Sequence, residues 1–179
     1  HSKKNTAASA TSSQAFYQRI RRAIEEAGPT FIKFGQTLST REDLFPKGLI
    51  KEFKKLQDSV PPEPMDILAV LAEELSIVPM DHFAAVDPIP IASASIAQVY
   101  KGTLHNGEEV ILKIKRHGIQ KIVQADLMLL KDLINMLTNY YSLVKEINLI
   151  YVFEAFAKSI QEELSFPNEL NNIAHFRRN

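Results

Sequence analysis

From Gln14 to Pro64 apolar residues recur at intervals of three and four, the period of helices that bury one face. Phe16, Ile20, Ala23 and Ile24 form the first stripe, and Gly28-Pro29 closes that helix and opens the next. The second carries Phe31, Phe34 and Leu38. A third follows Pro46 with Leu49, Ile50, Phe53 and Leu56, and ends before Val60-Pro61-Pro62. Residues 65–75 predict a fourth, with Ile67, Leu68, Leu71 and Leu75 inward. The pattern changes at Phe83. Asp87-Pro88-Ile89-Pro90 is extended, because each proline disfavours helix in the residue before it. Residues 96–104 and 109–115 predict two strands. Asn106-Gly107 between them is a strong hairpin signal, with both turn residues expected at positive φ. After Gly118 the period returns to helix with Ile119, Ile122, Val123, Leu127, Leu130, Ile134 and Leu137. A last helix begins near Leu149 and is expected to bend at Pro167.

Composition narrows the function classes. The 179 residues are 45% hydrophobic and 23% charged, as in ordinary globular proteins. Twenty-one Lys plus Arg balance twenty-one Asp plus Glu, so no whole-chain basic field favours nucleic acid as a partner. The absence of cysteine removes disulfides, thiolate nucleophiles and Cys-containing zinc sites, and the five scattered histidines form no ligand motif. No metal site is expected. No stretch approaches the ~18 uncharged apolar residues of a membrane span, and the chain is expected to be soluble. Residues 1–13 are a polar Ser/Thr/Ala/Lys tract, read as a disordered tail or truncation remnant.

The candidate chemistry lies at the hairpin. Ala92-Ser93-Ala94-Ser95-Ile96-Ala97-Gln98-Val99 has the spacing of the kinase loop G-x-G-x-x-G-x-V with alanine in every glycine place, and Val110-Ile111-Leu112-Lys113 occupies the place of V-A-I-K. Glycine lets backbone approach a phosphate and enter positive φ, so an alanine loop is stiffer and offers its N–H donors in fewer geometries. Small residues there also suit simple strand packing. Lys113 on an apolar strand is expected to face inward, where its ammonium needs a carboxylate or phosphate to offset desolvation; an edge-strand lysine in solvent is the alternative. The final helical stretch offers Glu162, Glu163 and Glu169 as partners. In the second helix, Lys33 and Gln36 are three apart on a face distinct from the apolar stripe, and the helix-interior Gly35 suggests close approach of another surface.

These residues resemble the UbiB family of atypical kinase-like proteins, nearest to its bacterial members. The likeness runs through Gly28-Pro29-Thr30-Phe31-Ile32-Lys33-Phe34-Gly35-Gln36, Leu38-Ser39-Thr40-Arg41, Asp43-Leu44-Phe45-Pro46 and Leu56-Gln57-Asp58. It continues in Ile91-Ala92-Ser93-Ala94-Ser95-Ile96-Ala97-Gln98-Val99, Lys113 and residues 163–171, and covers about residues 14–179. The resemblance implies an α+β fold: a protein-kinase-like N-lobe with a small antiparallel sheet over residues 81–179, and a helical extension over residues 14–80. It implies that residues Ile91 to Val99 cover ATP or ADP with Mg, that Lys113 contacts the phosphates, that Glu169 orients Lys113, and that Lys33, Gly35 and Gln36 gate access. The family's Glu-x-Asp motif, linked to that gating extension, is matched at Glu163, with Ser165 in the Asp place. It also implies ubiquinone-biosynthesis proteins or a lipid as partners, and the cytoplasmic face of the bacterial inner membrane as the location of the intact protein. Neither His-x-Asp nor Asp-Phe-Gly occurs, so the catalytic base and metal-binding Asp of phosphoryl transfer are expected in a C-lobe beyond this chain. The competing expectation is a non-catalytic helical module that docks a biosynthetic partner or lipid.

Overall fold

The computed structural model describes residues 2–58, 60–165 and 174–175. Its helices in chain order are α1 Ser2–Ala27, α2 Pro29–Ser39, α3 Lys47–Phe53, α4 Ile67–Leu75, α5 Pro79–His82, α6 Ile119–Tyr140, α7 Ser142–Glu146 and α8 Leu149–Leu164. The strands are β1 Phe83–Val86, β2 Ala92–Ser93, β3 Ala97–Leu104, β4 Glu109–Lys115 and β5 Ala174–His175. The α+β class that the resemblance implies is observed. By contact, the described residues within 1–58 and 120–161 form one compact unit, and those within 59–119 and 162–179 form another.

The first unit is helical. Its helix α1 begins at Ser2, so the stretch read as a disordered tail is helical in the structure; it holds no glycine or proline, and its alanines and lysines are good helix formers. The inward face of α1 is shifted one position from the expected stripe. Tyr17, Ile20, Arg21 and Ile24 are partly covered, whereas Phe16 is 58% exposed. Two contacts explain the shift: the Tyr17 ring lies against Gly48, and Arg21 Nε donates to Glu52 Oε2 at 3.0 Å. Glu52 is fully buried and also takes Gln14 Nε2 at 2.8 Å and Lys55 Nζ at 2.5 Å. These partners, Lys55 first and Arg21 next, hold its carboxyl below the usual carboxylate range against the opposing effect of burial. Deeper in this unit Phe34 of α2 meets Phe156 and Phe153 of α8 at 5.2 and 6.3 Å between ring centroids, pairs worth about 0.5–1.5 kcal/mol each beyond area burial. Thr30, also buried, donates to Asp126 Oδ2 of α6 at 2.7 Å. On α6 the residues Ile119, Val123, Leu127, Leu130 and Ile134 are buried as expected, but Ile122 faces out.

The second unit is a small antiparallel sheet with α4 packed on it and the short α5 leading into β1. The strand order is β1-β3-β4-β5, and β2 pairs with the start of β3. Helix α4 starts at Ile67 rather than 65 because the Asp66 carboxylate caps it, accepting from Ala69 N at 3.1 Å. Ile67 and Leu71 pack with Phe83, Tyr100, Val110 and Leu112 in one apolar core; Leu68, expected inward, is exposed. The β3–β4 turn differs from the expected two-residue form. Gly107 N–H reaches Leu104 O at 2.9 Å and Leu104 N–H reaches Glu108 O at 2.9 Å, so the loop is His105-Asn106-Gly107. Only Gly107, at φ 85°, takes positive φ, and the Asn106 side chain accepts from Glu108 N instead. Helix α8 ends at Leu164, ahead of the expected bend; Pro167 lies outside the described residues.

Candidate functional site

The alanine-rich segment folds as a tight hairpin. Ala92 pairs with Val99 and Ser93 with Gln98, Ile91 N–H reaches Val99 O at 2.8 Å, and Ala94 N–H reaches Ala97 O at 3.0 Å. In the next ladder Val99 pairs with Lys113. Residues directly opposite each other in antiparallel strands project from the same face. Ala92, Val99 and Lys113 therefore form one row across β2, β3 and β4. With strands ~4.8 Å apart, the Ala92 and Lys113 backbones are about 10 Å apart. Pleat alternation sends Tyr100 and Leu112 to the other face, into the core with α4. The inward ammonium expected at Lys113 is not what the structure shows: the residue is exposed, because the row it shares belongs to the face away from α4. Ile91, Ala92 and Ala94 are likewise exposed, while Ser95, Ile96, Ala97 and Gln98 are buried.

The expected nucleotide residues thus divide by face. Gln98 turns its amide to the core side and uses it fully: Oε1 accepts from Glu63 N at 2.9 Å, and Nε2 donates to Glu63 O at 3.2 Å and to the Tyr100 hydroxyl at 3.1 Å. Burial pushes the Tyr100 hydroxyl pKa upward, with the Glu63 charge adding to it. Gln98 thus ties the 61–65 segment to the sheet. Arg116 does the same from the other side of the hairpin, through Ala94 O, Ser93 Oγ, Pro61 O and Glu63 Oε2. Sequence reasoning missed both Arg116 and Glu63; the only signal was a cation immediately after the lysine strand, and its partners are far apart in the chain.

The Lys33, Gly35 and Gln36 motif of α2 is brought together with residues 56–58 of its own unit. Lys33 Nζ lies 3.3 Å from Asp58 Oδ2, and Gln36 Nε2 donates to Leu56 O at 3.2 Å. A Cβ built on Gly35 would run into Leu56 Cδ1, with Ile24 Cγ2 also at 3.4 Å. The close approach expected at this glycine is present, and the approaching surface is Leu56. Glu163 lies in the last turn of α8 and is half-buried; the helix stops just beyond it, where Ser165 N–H and Oγ both donate to Glu162 O. Glu169 lies outside the described residues. A cation in one row with a hairpin of small residues is the chemistry that phosphates require, whereas its exposure is what a docking surface requires. For a metal ion, no group of three or more His, Asp or Glu is gathered among the described residues.

Fold and motif together define the class. Residues 55–179 match the ABC1 atypical kinase-like domain, and the chain belongs to that family. The likeness to UbiB proteins read from the motifs extends over 90% of the chain. A probable protein kinase UbiB of Marinobacter nauticus is 41% identical over 162 residues, 90% of this chain and 30% of the relative. One of Aeromonas salmonicida is 40% identical over 163 residues, again 90% and 30%. An uncharacterized protein in the hydrogenase 1 5′ region of Clostridium pasteurianum is 44% identical over 162 residues, with the same coverage. The chain therefore spans about 30% of the length of these curated relatives. A solved complex of Rv3197 with erythromycin from Mycobacterium tuberculosis aligns with 96% of this chain and 43% of that chain at 24% identity and a TM-score of 0.43, a likeness too distant to bear on the site. No described helix is long and apolar enough to cross a membrane.

Proposed function

We propose that this chain is the nucleotide-binding part of a UbiB-like atypical kinase or ATPase that supports ubiquinone biosynthesis at the cytoplasmic face of the bacterial inner membrane. The supporting observation is the row Ala92, Val99, Lys113 across three neighbouring strands, on the face away from the α4 core. Residues of the 91–97 hairpin lie over the phosphates of ATP or ADP with Mg, and Lys113 supplies the cation that meets them. Glu169 orients the lysine, and the Lys33-Gly35-Gln36 motif, held to residues 56–58, controls access together with Glu163. One observation favours a second reading, a non-catalytic helical module that docks a biosynthetic partner or lipid: Lys113 is exposed.

Titration of the full-length protein with fluorescent ATP and ADP analogues separates the two. A charge-assisted phosphate contact is worth about 1.5–3 kcal/mol, so Lys113→Ala weakens binding by about tenfold or more under the nucleotide reading. Nucleotide binding that is unchanged in Lys113→Ala, or absent in the unaltered protein, favours the docking module.

A further inference from the structure

Besides its own ladder, the turn of the alanine-rich hairpin is held by one side chain. Arg116 follows β4 directly, three residues after Lys113, and only 9% of its side chain is exposed. Its backbone N–H donates to Ile96 O at 2.9 Å. Its Nε donates to Ala94 O at 2.9 Å and its Nη2 to Ser93 Oγ at 2.7 Å. The rest of the guanidinium is anchored away from the hairpin, on Pro61 O at 3.0 Å and Glu63 Oε2 at 3.3 Å. The other Glu63 oxygen accepts from His117 N at 3.3 Å, which fixes the carboxylate that neutralises the arginine.

The geometry points to Arg116 as the positioning residue of the phosphate-covering hairpin, a role that rests on the nucleotide reading above. Four donor directions of one rigid, planar group meet acceptors in two segments separated in sequence, which a flexible ammonium with three donors at a single nitrogen does not reproduce. The peptide group is planar and trans, so holding the Ala94 carbonyl on the guanidinium turns the Ser95 N–H to the opposite side. The plane at the tip of the hairpin is thereby set before any ligand arrives. In a glycine loop that plane is free to adjust; alanine narrows the choice, and Arg116 selects one member of it. Arg116 itself is nearly covered and already engaged, so it acts through the hairpin rather than on the nucleotide.

The test compares unaltered full-length protein with Arg116→Lys, Arg116→Gln, Glu63→Gln and Lys113→Ala by fluorescent-nucleotide titration, and follows amide hydrogen exchange without ligand. Expected are about tenfold weaker binding in both Arg116 variants and about threefold weaker in Glu63→Gln, the loss of one charge-assisted contact and of part of one respectively. Exchange is expected to accelerate over residues 93–97 while the amides of α2 and α6 keep their protection. A merely structural arginine would raise exchange throughout the sheet and leave the affinity of the folded fraction unchanged, and that result overturns the proposal. Should the Arg116 variants not fold, Glu63→Gln decides: unchanged affinity overturns the proposal. If Lys113→Ala loses binding and the Arg116 variants do not, the nucleotide reading stands and this one falls; if the unaltered protein binds no nucleotide, both fall.

Discussion

The two compact units use their polar residues differently. In the helical unit the motif residues are turned onto their own neighbours: Lys33 and Gln36 hold residues 56–58, and buried Glu52 gathers Gln14, Arg21 and Lys55. In the sheet unit the motif residues are sorted by the pleat. Gln98 and Tyr100 are spent on the core side, while Ala92, Val99 and Lys113 line the opposite face. The lesson is that a family motif on a helix brings all its polar members to one neighbouring segment, whereas a motif on strands delivers alternate residues to opposite jobs. Spacing along a strand therefore says more about role than residue type does.

That contrast can be broken most forcefully at the core that forces the sorting. Phe83 is 1% exposed in the cluster beneath the sheet, and Phe83→Ala is expected to cost about 3–5 kcal/mol. Denaturant titration should show the loss in the sheet unit, with the hydrogen-exchange protection of α1 and α3 changed far less. A uniform loss across both units would mean that they unfold as one body and that the contrast is only geometric.

A smaller effect separates the helical unit by pH. The folded pKa of Glu52 is lowered, first by Lys55 and then by Arg21. Its ion pairs therefore contribute above the unfolded carboxylate value of about 4.3, and the contribution is lost as pH falls through the lower folded value. Glu52→Gln is expected to destabilise the helical unit by about 1–3 kcal/mol at neutral pH, with the gap from the unaltered protein closing as acid is added. Circular dichroism melts at pH 7 and below pH 4 check this; a gap that stays constant with pH contradicts it.

The smallest expected change is at Gly35. Alanine gains about 1 kcal/mol of helix propensity, but its Cβ meets Leu56 Cδ1, Leu56 is buried, and Ile24 Cγ2 lies 3.4 Å from the same position. Overpacking of this kind costs about 1–3 kcal/mol, so Gly35→Ala should come out destabilising by about 1 kcal/mol in equilibrium unfolding. A stabilised variant would show that Leu56 moves aside and that the motif glycine is not there for close approach.

Much of this architecture was legible in the chain, and the failures have physical causes. Helix and strand were told apart by period, and β4 was placed at its observed bounds, because apolar spacing of 3.6 and of 2 differ over seven residues. Phe16, Leu68 and Ile122 were put on the wrong side for a related reason. Adjacent positions on a helix are only 100° apart, and which of two neighbouring stripes is covered depends on partners such as Gly48 and Glu52 that the local pattern does not contain. The strand β1 was missed because four residues give too little alternation. At the site, spacing picked out the 92–99 segment and Lys113, but the row they share depends on strand register, and parity fixes a face without saying what covers it; the lysine expected inward is exposed. Arg116 was invisible because its acceptors come from residues 61–63 and 93–96, which meet it only after folding.

The most direct test of the central claim, that the face bearing Ala92, Val99 and Lys113 receives a nucleotide, is hydrogen exchange on the full-length protein with and without ATP and magnesium. The account predicts nucleotide-dependent protection over residues 91–97 and around Lys113, greater than any change in α4 on the opposite face. Protection confined to the helices of residues 14–58, or no protection at all under saturating nucleotide, would contradict it.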